Sequence, residues 1–290
     1  KGIDMTPSLV LTSTQDESIN YIFKEKEGQF EARYVQRVPE YAIVYLSSHT
    51  GCNYNCRFCH LTQMGETSEH PASIHDYFTQ AHNVVNKIPF TEELKLLHYN
   101  FMARGEPLNN KTLVNEPNEL FEYLDQLSIF NDVKSRFLIS SIIPKDFSGS
   151  LNNIFEDERS TLYYSLYSLN PVFRNKWLPK AMNPYKALDL IAEMQYTHKR
   201  DVVFHWAFIQ GHNTSEEELY KIAEEVHKRD LKVRFNLVRY NPHNNKCGTE
   251  PSEEKIIKLF NVMDAILPHP NNKIVSRVGF DVKASCGMFA

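Results

Sequence analysis

Three cysteines, Cys52, Cys56 and Cys59, fall within one short run, Gly51-Cys52-Asn53-Tyr54-Asn55-Cys56-Arg57-Phe58-Cys59. Thiolates at this spacing can hold three irons of a 4Fe–4S cluster and leave the fourth iron without a protein ligand. Clusters that only carry electrons usually have cysteine at all four positions. An open iron can instead be chelated by the amino and carboxylate groups of S-adenosylmethionine, which the cluster then cleaves reductively. The competing chemistry is a structural zinc site with His60 as the fourth ligand. Zinc sites usually draw on two separated ligand pairs. Here all the ligands lie in one run, which favours the cluster.

Other residues could complete such a site. Gly105-Glu106-Pro107 forms a short polar turn after a β-rich run. Its glycine permits close approach of the backbone to a ligand, and Glu106 can accept hydrogen bonds from an amino group. Ser140, Ser165 and Asn241 can bond ribose or carboxylate groups, although each alone is more often a satisfied strand-end residue. Cys286, in Ala284-Ser285-Cys286-Gly287-Met288, stands far from the other thiols. A single free cysteine is more often a small buried apolar residue than a nucleophile. Cys247 reads the same way, or as an exposed thiol in the loop 241–251.

The elements that must position these residues are legible from residue 42 onward. Strand-like runs cover 42–47, 94–102, 136–143, 161–168, 202–209, 232–240 and 273–278. Amphipathic stretches at 74–88, 184–198, 215–228 and 252–267 lie between them, and Ser215 with Glu218 has the capping-box pattern. This alternation predicts βαβ units on a parallel sheet. Six such units in roughly 230 residues predict an α/β partial (β/α)6 barrel, since a closed eight-unit barrel typically needs ~250. The segments 18–23 and 29–35, around Glu27-Gly28, predict a β-hairpin. The expected division is therefore 1–41 as an N-terminal β extension and 42–290 as the core. In parallel α/β folds ligands gather at the carboxyl ends of strands, where these polar residues fall.

The chain has 290 residues and a net charge of −4, so no global basic field recruits nucleic acid. Five sparse cysteines argue against a disulfide framework. No long apolar run predicts a membrane helix, and residues 1–7 lack the apolar core of a signal peptide. A cytoplasmic enzyme without membrane contact is the expectation.

Several longer stretches carry a resemblance. They are Ser47-Ser48-His49-Thr50-Gly51-Cys52 through Gln63, Arg104-Gly105-Glu106-Pro107-Leu108-Asn109, Ser165-Leu166-Tyr167, Gln210 to Glu217, Asn236 to Pro242, and Ala284-Ser285-Cys286-Gly287. In order and content the chain resembles the RlmN/Cfr family of radical S-adenosylmethionine RNA-adenosine methyltransferases over about residues 8–290. The resemblance implies a 4Fe–4S cluster on Cys52, Cys56 and Cys59. It implies S-adenosylmethionine contacts at Phe58, Gly105, Glu106, Ser140, Ser165 and Asn241, and a reductant protein such as flavodoxin or ferredoxin. It also implies that Cys286 is methylated and passes the carbon to carbon 2 or carbon 8 of an adenine in a nucleotide or RNA.

The pattern is broken at two places. The family's resolving cysteine, seven residues before the first cluster cysteine, is replaced by Tyr45, and a family histidine by Tyr167. The family's N-terminal helical domain has no counterpart in the 41 residues before the core, which with the acidic charge disfavours a large ribosomal RNA. Cys247 or Tyr45 is left as a candidate for the missing role. One alternative reading keeps cofactor cleavage without methyl transfer, with Cys286 as a hydrogen-atom donor to a small molecule or peptide. A second is a non-enzymatic iron–sulfur or zinc module.

Overall fold

The structure is a computed structural model and describes residues 6–290. The opening residues 1–5, part of the segment read against a signal peptide, lie outside the described residues. Among the described residues ten strands form one sheet whose spatial order follows the chain. They are β1 (Leu9–Thr12), β2 (Ile19–Lys24), β3 (Gln29–Val38), β4 (Tyr41–Tyr45), β5 (Leu96–Phe101), β6 (Lys134–Ser141), β7 (Ser160–Tyr164), β8 (Val202–Trp206), β9 (Val233–Leu237) and β10 (Lys273–Ile274). Pairing is antiparallel from β1 to β4 and parallel from β4 to β10. A helix follows each of the strands β4 to β9, which gives the six βα units of a partial barrel. No helix among the described residues is long and apolar enough to cross a membrane.

Strand alternation divides the molecule into a dry and a wet side. On β5 and β6, Leu97, Tyr99, Phe101, Phe137 and Ile139 point to the helices and are fully buried. Phe121, from helix Pro117–Phe130, stacks on Phe137 at 4.3 Å between ring centres. Each such ring contributes about 1.5–3 kcal/mol by burial. The opposite face of the same strands carries His98, Asn100, Arg136 and Ser140. With Leu96 and Leu138 on that same face the barrel interior is mixed polar and apolar, and the fully buried apolar core lies between sheet and helices.

Three local details differ from the sequence reading. The strand read as 161–168 stops at Tyr164, because the chain turns at Tyr167 with φ 58°, so Ser165 lies just past the strand. The last strand is only Lys273–Ile274. The capping box at Ser215 does not form. Glu218 instead accepts the Ser168 hydroxyl and the Leu169 N–H (2.9 Å), tying that helix to the turn after β7. A capping box does form at Ser73–Asp76.

The segment after β10 crosses back to the first strands. Val282 O accepts from Asn20 Nδ2 (3.1 Å), Met288 O from Arg33 (2.6 Å), and the Ala290 N–H donates to Glu31 (3.1 Å). Glu31, wholly buried, also pairs with Arg33 (3.1 Å) and Arg104 (3.0 Å), and Arg104 reaches Glu66 at 3.0 Å. The Phe289 ring lies 4.8 Å from the Arg33 guanidinium and 5.8 Å from that of Arg104. Breaking a buried pair strands its partner, so Arg104→Met should cost ~3–5 kcal/mol. Urea denaturation of the variant checks this, and an unchanged midpoint would mean the network is not holding the fold.

Candidate active site

β4 delivers the chain into a buried loop, 46–51, that ends at Cys52. The loop is stitched to its surroundings by Leu46 N–H to Asn100 O (2.8 Å), Ser48 N–H to Arg104 O (2.7 Å) and Cys52 N–H to Glu66 O (2.9 Å). A Cβ on Gly51 would lie 2.3 Å from Ser68 O and 2.6 Å from Glu66 O, so only glycine fits. Cys59 N–H closes a turn on Cys56 O (3.0 Å) and starts the short helix His60–Met64. The three thiols thus come from one tightly folded turn.

Cys52, Cys56, Cys59, Phe58, Gly105, Glu106, Ser140, Ser165, Asn241 and Cys286 all line one cavity of about 670 Å³. Each of the four cysteines has solvent-accessible surface and lines the cavity. Burial pushes every one of these thiols up, Cys286 to about 11. The neighbouring cysteines add to the shifts of Cys52 and Cys56, and Cys59 adds to that of Cys286. Thiols that disfavour their own ionisation in each other's company suit a positively charged iron group. Among the described residues no three His, Cys, Asp or Glu side chains are gathered to hold a single metal ion. A cluster spreads its thiolates more widely than one zinc ion does. His60, the zinc reading's fourth ligand, is turned away, with Nε2 2.9 Å from Asn241 O.

Opposite the thiols, Gly105 has φ 91°, and a Cβ there would meet His49 Nδ1 at 2.6 Å. This close approach sets Glu106 against the end of β6. Glu106 accepts from Ser141 Oγ (2.5 Å), Leu108 N–H (3.0 Å) and, on its other oxygen, Ile142 N–H (3.3 Å). Burial outweighs these donors and raises its carboxyl to about 7. Oε2 accepts only the one long bond, which leaves it acceptor capacity. Ser140 Oγ lies 3.5 Å from both Ser165 Oγ and His205 Nδ1. Asn100, Asn236 and Asn241 line the cavity with buried Oδ1 atoms that have no partner. Side-chain amides that line a cavity offer donors and acceptors of the kind that the hydroxyl and amino groups of a nucleoside-like ligand pair with. The residues present therefore fit S-adenosylmethionine as well as a cluster.

The tail that carries Cys286 is pinned to the cysteine turn. His60 N–H donates to Gly287 O (3.0 Å), and Asn241 Nδ2 to Cys286 O (2.9 Å) and Ser285 Oγ (3.2 Å). Phe58 stacks on Tyr167 at 4.4 Å and 11°, so the tyrosine in the family's histidine position backs the cysteine turn. Tyr45 lines the cavity. Cys247 does not: it is buried, its thiol 3.4 Å from Asn244 Oδ1, and it takes no part in the site. Sequence reasoning missed Arg104, Ser141 and His205. Arg104 was legible, standing directly before Gly105-Glu106. Ser141 and His205 lay in runs read only as strand.

No protein-family model matches the chain. Similar curated proteins include a probable dual-specificity RNA methyltransferase RlmN of Parabacteroides distasonis, 28% identical over 289 residues, covering 96% of this chain and 76% of the relative. The dual-specificity RNA methyltransferase RlmN of Aliarcobacter butzleri is 25% identical, covering 98% and 80%. Among solved structures, a radical SAM methyltransferase from Sphaerobacter thermophilus superposes with a TM-score of 0.77 at 18% identity, over 98% of this chain and 80% of that one, a likeness of fold. The fold, the cysteine turn and these relatives agree: over nearly its whole length the chain is similar to the RlmN/Cfr-like radical S-adenosylmethionine methyltransferases, and it is an enzyme that works with a 4Fe–4S cluster and S-adenosylmethionine.

Proposed function

We propose that this enzyme methylates an adenine base in RNA or a nucleotide, with Cys286 as the methyl carrier. The observation that supports this most is that Cys52, Cys56, Cys59 and Cys286 open onto one cavity although Cys286 is remote in sequence. In this reading Cys52, Cys56 and Cys59 hold the cluster. Gly105, Glu106, Ser140, Ser165 and Asn241 hold S-adenosylmethionine, and Phe58, stacked on Tyr167, keeps the cysteine turn in place. Bound there, the two groups supply an adenosyl radical and a methyl group. The side chains around them position Cys286, restrict water and hold the substrate base. Electrons come from a flavodoxin- or ferredoxin-type protein in the cytoplasm. The division into a β extension, 1–41, and a core, 42–290, belongs to the same reading.

Methyl transfer is tested with S-adenosylmethionine carrying a deuterated methyl group. Deuterium should appear in the product adenine. Cleavage of the cofactor with no label transferred to any RNA or nucleotide would favour the hydrogen-donor alternative instead.

Glu106 gives this reading a pH dependence. With its carboxyl raised to about 7, it is largely protonated at pH 6 and ionised at pH 8. The ionised form is the stronger acceptor for the N–H groups of the ligand's iron-bound amine. Affinity for S-adenosylmethionine should therefore rise between pH 6 and pH 8. A Glu106→Gln variant should lose that rise and, at pH 8, bind about 10–150-fold more weakly, the equivalent of ~1.5–3 kcal/mol. Equilibrium dialysis at the two pH values measures both effects, and a parallel rise in the variant would remove Glu106 from the binding role.

A further inference from the structure

The interior of the barrel carries positive charge that the reaction proposed above does not use. Arg37 enters at the irregularity where β3 steps from Gln36 to Val38 against β4. Arg136 and Arg234 stand near the amino ends of β6 and β9, and Lys273 begins β10. All four line the same cavity as the cysteines, and Arg136, Arg234 and Lys273 lie toward the amino ends of their parallel strands. The sheet register sets Arg136 beside His98, and Lys273 beside Asn236, the neighbour of His205.

None of the four has a carboxylate partner among the described residues. Arg136 donates only to Glu158 O (3.2 Å) and Arg234 only to Tyr163 Oη (3.2 Å), while Arg37 Nε is buried without a partner. By contrast Arg239 and Arg277, also on the cavity, are both tied to Glu250. The one carboxylate on the lining, Glu106, sits at the opposite rim and is engaged by Ser141, Leu108 and Ile142. The surroundings register the excess charge. Burial first, then Arg234 and Arg37, lowers the Lys273 ammonium. Burial, then Lys273, Arg234 and Arg136, takes His98 down to about 4. Arg136 and Lys273 are exposed and Arg37 and Arg234 half-buried, so an incoming anion can reach all four, and a cleft lined by one sign of charge concentrates anions.

We propose that Arg37, Arg136, Arg234 and Lys273 form an anion site at the amino end of the barrel that takes a terminal phosphate, a phosphomonoester, of the substrate. Guanidinium forks match phosphate oxygens, and the double negative charge of a monoester answers a four-cation cluster better than an internal diester does. Ser140 at the reactive rim and Arg136 are four residues apart on one strand, about 13 Å. That is comparable with the length of a nucleoside monophosphate. The identity of the base rests on the function proposed above; the anion site does not.

The test is isothermal titration and thermal melting of the purified, anaerobically reconstituted enzyme without reductant. The probes are inorganic phosphate, AMP, adenosine, and oligoadenylate with and without a 5′-phosphate. AMP or the 5′-phosphorylated oligomer should bind at least 10-fold more tightly than its unphosphorylated form, and which of the two does so identifies the source of the phosphate. Phosphate should raise the melting temperature of the wild type. In a double variant, Arg234→Gln with Lys273→Gln, both effects should vanish while iron content is unchanged. Equal binding of phosphorylated and unphosphorylated probes, or a phosphate response that survives in the double variant, overturns the site. Failure of the wild type to transfer labelled methyl would instead overturn the proposed reaction and leave the phosphate result standing.

Discussion

Replacing Cys56 with alanine should reduce iron uptake from about four atoms per chain, the complement of one cluster, to near zero. Cys56 is the middle thiol of the turn, and both its neighbours help to hold its own pKa well above the ordinary thiol value. Two remaining thiolates cannot retain a cluster against solvent and oxidation. Because the turn is held by backbone bonds such as Cys59 N–H to Cys56 O, the variant should fold normally. Iron analysis and the visible absorption spectrum after anaerobic reconstitution report the loss, with Cys247→Ala as the control that keeps its iron. Stoichiometric zinc with no iron in the wild type would defeat the cluster assignment.

Cys286→Ala should separate two activities that Cys56→Ala removes together. The variant keeps the cysteine turn and the polar rim, so reductive cleavage of S-adenosylmethionine should continue. Methylated product should fall below detection, because no other free thiol reaches the cavity: Cys247 is buried elsewhere. Tyr45 sharpens the expectation for the wild type. A phenol cannot form the disulfide that frees a product from Cys286, so a Cys286-dependent RNA adduct should accumulate on a denaturing gel unless another group releases it. Equal product formation by wild type and variant would exclude Cys286 from the mechanism.

Much of this site was legible because its residues are tied to backbone geometry. The cysteine spacing, Gly105 before Glu106, and the strand–helix alternation follow local rules that a linear reading can apply. What escaped was set by partners distant in sequence. The Ser215 capping box looked complete, yet Glu218 found better donors at the turn after β7. Glu106 was read as a free acceptor, but Ser141 and two backbone N–H groups reach it first. His98, Arg136 and Arg234 alternate with large apolar residues in runs read simply as strand. Only the curvature of the sheet into a partial barrel turns those alternate positions into the wall of a chamber.

Residues 288–290 have a bearing on how the molecule is made. Their bonds reach back to Glu31 and Arg33, across separations of up to 259 positions. During synthesis those two buried charges must wait for nearly the whole barrel before Met288 and Ala290 arrive to complete their bonding. Contacts so distant in sequence form slowly, and exposed intermediates are vulnerable while they wait. The contacts that seat Cys286, from His60 to Gly287 and from Asn241 to Cys286, likewise need residues more than 225 and about 45 positions apart, so a nascent chain holds its cysteine turn long before its methyl carrier can dock.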